Sequence, residues 1–213
     1  MSYFNLPIST AVNRFIPKNA FNEFANAKQK QRIAEVVDKI TWLNKLSKET
    51  INLTGKEIIE IQIFEIRLKV KLNPKDLLDI IDRAIPYQII FILSYNDLLL
   101  LSTSKKHNHP IKQDNCVLDW SFSSDWLIDQ QTKYQLNLKI SLDFIFADFC
   151  SQLANYGNKQ IDINNIVEYD KKFKGLQKQI GELESAIKTE KQFNKKVELN
   201  LLLLKAEEEL KSL

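Results

Sequence analysis

Glycine is scarce, with four in 213 residues, and proline numbers only five. So few glycines leave little material for a phosphate-cradling loop, and no Walker, dinucleotide or G-x-S-x-G pattern occurs, which excludes a nucleotide-driven motor. The two cysteines, Cys116 and Cys150, are too few for a secreted disulfide framework and lack zinc-site spacing. Apolar runs are broken by polar residues well short of the about 20 needed to cross a bilayer, and Met1–Asn5 lacks the basic and apolar regions of a signal peptide. A chain outside the membrane, in a reducing cytoplasm, is the expectation. Charge of one sign is also missing: 30 Lys and Arg stand against 27 Asp and Glu, and no polybasic arm is present. What remains is ordinary globular material, 44% hydrophobic and 27% charged, long enough for one domain with an appendage.

Apolar residues recur at three- and four-residue steps from Asn19 to Leu46 (Phe21, Phe24, Ala27, Ile33, Val36, Val37, Ile40, Leu43), which predicts one amphipathic helix capped by Asn19. From Glu57 to Lys71 the pattern becomes a strand. Ile59, Ile61 and Ile63 share one parity and Phe64, Ile66, Leu68 and Val70 the other, so a bulge near Ile63 or burial of both faces is implied. Asn73–Asp76 starts a helix that ends before Pro86, Tyr87–Ser94 reads as a buried strand, and Leu98–Ser102 as its return. Residues 103–115 read as a polar loop, Cys116–Phe122 and Tyr134–Ile140 as strands, and Ser141–Tyr156 as a helix. This order implies an α+β body with a mixed sheet flanked by helices over residues 1–158.

Residues 159–213 form the appendage. Phe173, Leu176, Ile180, Leu183 and Ile187 make one apolar seam, and Leu199, Leu203, Ala206, Leu210 and Leu213 make a second that is out of phase with it. The tail is therefore a long helix of coiled-coil character with a stutter, or a helical hairpin bent near Lys188–Lys196. Ile180, Leu183, Ile187, Leu199, Leu203 and Leu210 are the candidate partner-binding residues, for another protein or a second copy of the chain.

No complete catalytic set is legible, and no cofactor motif. Two partial patterns on the long strand resemble the acidic-x-Lys signature of magnesium-dependent nucleases: Glu60 with Gln62, and Glu65 with Arg67 and Lys69. The first lacks the Lys, the second substitutes Arg, and a divergent nuclease is thereby the alternative to a non-catalytic role. Lys105, Lys106, His107 and Lys112, followed by Trp120 and Trp126, supply the cations and rings of a weak single-stranded nucleic-acid site. His107, His109 and Cys116 match no known metal-site spacing.

The phrases ITWLNKLSKETINL at 40–53, EIIEIQIFEIRLK at 57–69, IDRAIPYQIIFIL at 81–93 and EKQFNKKVELN at 190–200, after Leu6-Pro7 and Ile16-Pro17-Lys18, resemble the bacterial family catalogued as domain of unknown function 4391. The resemblance spans nearly the whole chain and carries no catalytic residue. It implies an accessory protein of restriction-like phage-defence clusters, beside a helicase or DNA methyltransferase.

Overall fold

The computed structural model describes residues 3–109, 116–128, 133–157 and 161–213. The chain divides into two compact units, Met1–Asn155 and Tyr156–Leu213.

The first unit is built on a seven-stranded mixed sheet in the order β1-β2-β3-β4-β5-β6, with the short β7 beside β5. Its strands are β1 (Ala11–Ile16), β2 (Val37–Ser47), β3 (Glu60–Leu68), β4 (Gln88–Tyr95), β5 (Leu98–Asn108), β6 (Cys116–Ser123) and β7 (Leu127–Ile128). Only β3 and β4 run parallel, from Ile61 beside Gln88 to Arg67 beside Ser94. A parallel pair needs a crossover, here α3 (Lys75–Ala84), and the crossover helix covers one face of both strands. Phe64, Ile66, Phe91 and Leu93 meet Leu77, Leu78 and Ile81 of α3 in a buried cluster. Helix α4 (Leu142–Ala154) packs on the sheet as well, and its Leu142, Ile145, Phe146 and Phe149 are fully buried. Burial on both faces explains the double parity of β3. A bulge does occur at the expected place, but the extra residue is Leu43 of β2: Trp42 lies opposite Phe64 and Asn44 opposite Ile63.

Three expectations are corrected. The segment from Asn19 to Leu46 is not one helix. It is a 3-10 turn (Lys18–Phe24), α1 (Ala27–Val36) and then β2, followed by the short α2 (Lys48–Ile51); the N-cap of α1 is Asn26, whose side chain accepts from the Gln29 N–H while Gln29 accepts from the Asn26 N–H. The polar stretch beginning at residue 103 is not all loop, because β5 continues to Asn108. Its hydroxyls take the place of apolar packing: Thr103 donates to the Ile89 carbonyl, Ser102 pairs with Ser123 and Ser104 with Ser121. Residues 133–140 hold no strand. The N–H groups of Lys139 and Ser141 bond locally to Asn137 and Lys139, and Ile140 takes a left-handed φ of 65°, so no ladder forms.

The second unit is two helices, α5 (Ile163–Thr189) and α6 (Phe193–Lys211), packed together and broken at Glu190–Gln192. Lys172 near the start of α5 pairs with Glu209 near the end of α6 at 2.9 Å, so the two run antiparallel as a hairpin.

A carboxylate fixes the approach to β3. Asp143, in the first turn of α4, accepts backbone hydrogen bonds from Lys56, Glu57 and Ile58. Gly55 makes this turn possible, since a Cβ there would sit 2.1 Å from the Ile58 carbonyl and 2.8 Å from the Asp143 carboxylate. Gly55→Ala is expected to lower stability by about 1–3 kcal/mol through that clash, and Asp143→Ala by about 2–3 kcal/mol through three stranded donors. Urea unfolding checks both, with the midpoint falling and the slope unchanged.

Candidate functional site

Glu60 and Gln62 lie at the start of β3 on one face of the sheet, both nearly buried. The Gln62 Nε2 donates to Glu60 Oε1 at 2.6 Å, and Lys45 of β2 pairs with Glu60 Oε2 at 3.0 Å. That hydrogen bond and charge raise the Lys45 ammonium's pKa. The Glu60 carboxylate is thus held by an ammonium and an amide. Glu65 accepts from the Tyr3 hydroxyl at 3.0 Å, Lys69 donates to the Ala34 carbonyl, and Arg67 is exposed. Neither partial nuclease pattern is completed by a second carboxylate, and no three metal-ligating side chains converge among the described residues.

The proposed nucleic-acid residues are dispersed. Lys106 is fully buried at its ammonium, which donates to Asp82 Oδ1, the Asp82 carbonyl and the Ile85 carbonyl, each at 2.8 Å. It is out of reach of a phosphate. His107 pairs with Asp119 of β6 at 3.0 Å, and the neighbouring Cys116 thiol points to the Ile85 carbonyl, its pKa pushed up by burial. Lys105 stands opposite a half-buried Trp120. Trp126 packs against the core, 5.9 Å below the Lys71 ammonium. Lys112 lies outside the described residues.

A cavity of about 380 Å³ opens beside Gln62. It is walled by β1, the 3-10 turn, β2, β3 and residues 85–87, and includes Arg14, Phe21, Trp42, Phe64 and Tyr87. Trp42 and Phe64 lie parallel, 3° between planes and 6.1 Å between centroids, and the indole N–H donates to the Asn44 carbonyl. A bulge in β1 places Arg14 opposite Trp42, with Asn13 at a φ of 52° absorbing the extra residue. No local pattern unites these residues, which come from five segments; the sequence cues were Pro17 and Pro86, which break the chain beside the cavity.

In the hairpin, Ile180, Leu183 and Ile187 of α5 are half-buried, as are Leu199, Leu203 and Leu210 of α6, with Ala206 buried among the latter. These expected partner-binding stripes sit on the sheltered sides of their helices. The opposite side of α6 carries Phe193, Val197, Leu201 and Leu204, with Phe193 78% and Leu201 56% exposed. Their spacing of four, four and three puts them on one face.

Asp82 is buried with its ion pair, and burial pushes its carboxyl above the usual carboxylate range against the pull of Lys106. Lys106→Met is expected to cost about 3–5 kcal/mol, with Asp82→Leu added recovering part of it. The sign with pH follows: the folded state binds the Asp82 proton more readily than the unfolded chain, so stability falls as pH rises through the raised pKa. The Lys106→Met deficit is largest near neutral pH and shrinks on acidification. Chemical unfolding of the four-member mutant cycle at several pH values checks it.

No curated protein and no solved structure matches the chain. A family profile described as Domain of unknown function (DUF4391) matches residues 4–210, spanning the sheet and both tail helices. The chain therefore belongs to that family, the domain of unknown function 4391.

Proposed function

We propose that this protein is a non-catalytic accessory subunit of a restriction-like phage-defence complex. Its sheet unit is a folded platform and its hairpin docks a helicase or DNA methyltransferase subunit. The observation that carries the reading is the outward face of α6. Phe193, Val197, Leu201 and Leu204 form an exposed apolar stripe on a helix whose other side is already sheltered, and such a surface marks a protein interaction site. The system assignment comes from the family resemblance and from the apolar stripe's demand for a protein partner. A helix laid in a partner's groove reads through spaced anchors of this kind.

The test is co-expression with candidate helicase and DNA methyltransferase subunits from the source cell, followed by affinity capture and sizing. The double variant Phe193→Glu, Leu201→Glu is expected to abolish capture without lowering the melting temperature, because both side chains are exposed in the isolated chain. Leu203→Glu, on the sheltered side, is expected to lower the melting temperature instead. Capture of neither subunit by the unaltered chain contradicts the accessory role. Capture undiminished by the double variant contradicts the docking face.

A further inference from the structure

The cavity beside Gln62 is lined wholly by residues of the first unit, and its lining combines an amide, aromatic rings and a guanidinium. Gln62 in its lining is only 6% exposed. Its Nε2 is committed to Glu60, which Lys45 holds in turn, so the amide cannot flip without losing a bond to a carboxylate. The atom left over is Oε1, an acceptor. Beside it are the rings of Phe21, Trp42 and Phe64, with the indole pinned through its N–H to the Asn44 carbonyl. The lining also includes the half-buried Tyr87 and the exposed Arg14. Neither the Arg14 guanidinium nor the Tyr87 hydroxyl has an ion pair or hydrogen bond among the described residues.

Each of these groups selects for a chemistry. An oriented amide oxygen accepts from an N–H edge, flat aromatic walls favour a planar ring, and a guanidinium binds a phosphate bidentately. A ligand that is planar, donates N–H at one end and carries a dianion at the other is a nucleoside monophosphate. A cavity of about 380 Å³ falls in the range of small-molecule sites. We propose that this cavity binds one nucleotide, with the base edge on Gln62 Oε1, the ring against the Trp42–Phe64 wall and the phosphate on Arg14. The nucleotide is either free or an unstacked residue of a single strand; the contacts are the same.

The experiment follows the indole N–H signals of the full-length protein by NMR, with Trp42→Phe assigning the signal at the cavity. The probes are the four common nucleoside monophosphates, the corresponding nucleosides, and short single-stranded oligonucleotides. At least one monophosphate is expected to shift the Trp42 signal, with its nucleoside binding about tenfold more weakly. Arg14→Ala, an exposed position whose loss leaves the melting temperature unchanged, is expected to erase that difference. An oligonucleotide that shifts Trp42 at lower concentration than the monophosphate identifies a strand as the source; a monophosphate that shifts it where oligonucleotides do not identifies a free nucleotide. The proposal is overturned if no probe moves Trp42 at millimolar concentration, if nucleoside and monophosphate bind alike, or if Arg14→Ala leaves their difference intact. Because Arg14 and Trp42 lie outside the hairpin, either outcome is independent of the docking test on α6.

Discussion

The Lys106 ammonium, with its side chain 0% exposed, is the constraint on which the first unit depends. Removing such a charge from water costs several kcal/mol, which is recovered only if every donor is used and a counter-charge is present. Both conditions hold. The three N–H groups go to one carboxylate oxygen and two carbonyls, those of Asp82 and Ile85 at the end of α3. Carbonyls at a helix C-terminus lack intrahelical partners and carry partial negative charge, so a cation there satisfies both needs. A compact ammonium suits three acceptors disposed around a point better than a planar guanidinium fork does.

That interaction ties the end of β5 to the exit of the crossover helix, and it thereby sets the path of residues 85–87 into β4. Those three residues line the cavity. The Lys45–Glu60–Gln62 chain orients the Gln62 amide in the same lining. Two buried or nearly buried ion pairs therefore frame an aromatic hollow. Polar groups inside the sheet layer act here as positioning devices around the cavity, while the apolar cluster of β3, β4 and α3 supplies the cohesion.

How much of this was legible follows the chemistry of each segment. Strands β3 and β4 were plain because burial of both faces leaves near-continuous β-branched runs. The boundary between α1 and β2 was not, because Val36 passes directly into Val37 with no glycine or proline between them, and apolar steps of three and four continue by chance through Ile40 and Leu43. The far half of β5 was read as loop because its buried residues, Thr103 and Ser104, are polar, with carbonyl and hydroxyl partners on neighbouring strands. Lys106, inside that polar stretch, looked like a surface cation; nothing local announces that its partner is Asp82, 24 residues earlier. In the tail, the phase break between the two seams left a stutter or a bend near Lys188–Lys196 open, and the structure has the bend, at Glu190–Gln192. The run Leu201–Leu204 is apolar on all sides, and it hid the outward stripe of α6 behind the inward one.

The central claim is that Lys106 is a charged, fully hydrogen-bonded, solvent-excluded ammonium. Solvated lysine NH3+ groups exchange protons with water too quickly at neutral pH to be seen by proton–nitrogen NMR, whereas a sequestered group bonded to three acceptors exchanges slowly. The most direct measurement is a lysine-selective NH3+ spectrum of the uniformly 15N-labelled full-length chain at neutral pH, with Lys106→Arg for assignment. The account predicts a distinct, slowly exchanging NH3+ signal that disappears in that variant. Its absence, or a Lys106 signal exchanging at the rate of the surface lysines, would contradict it.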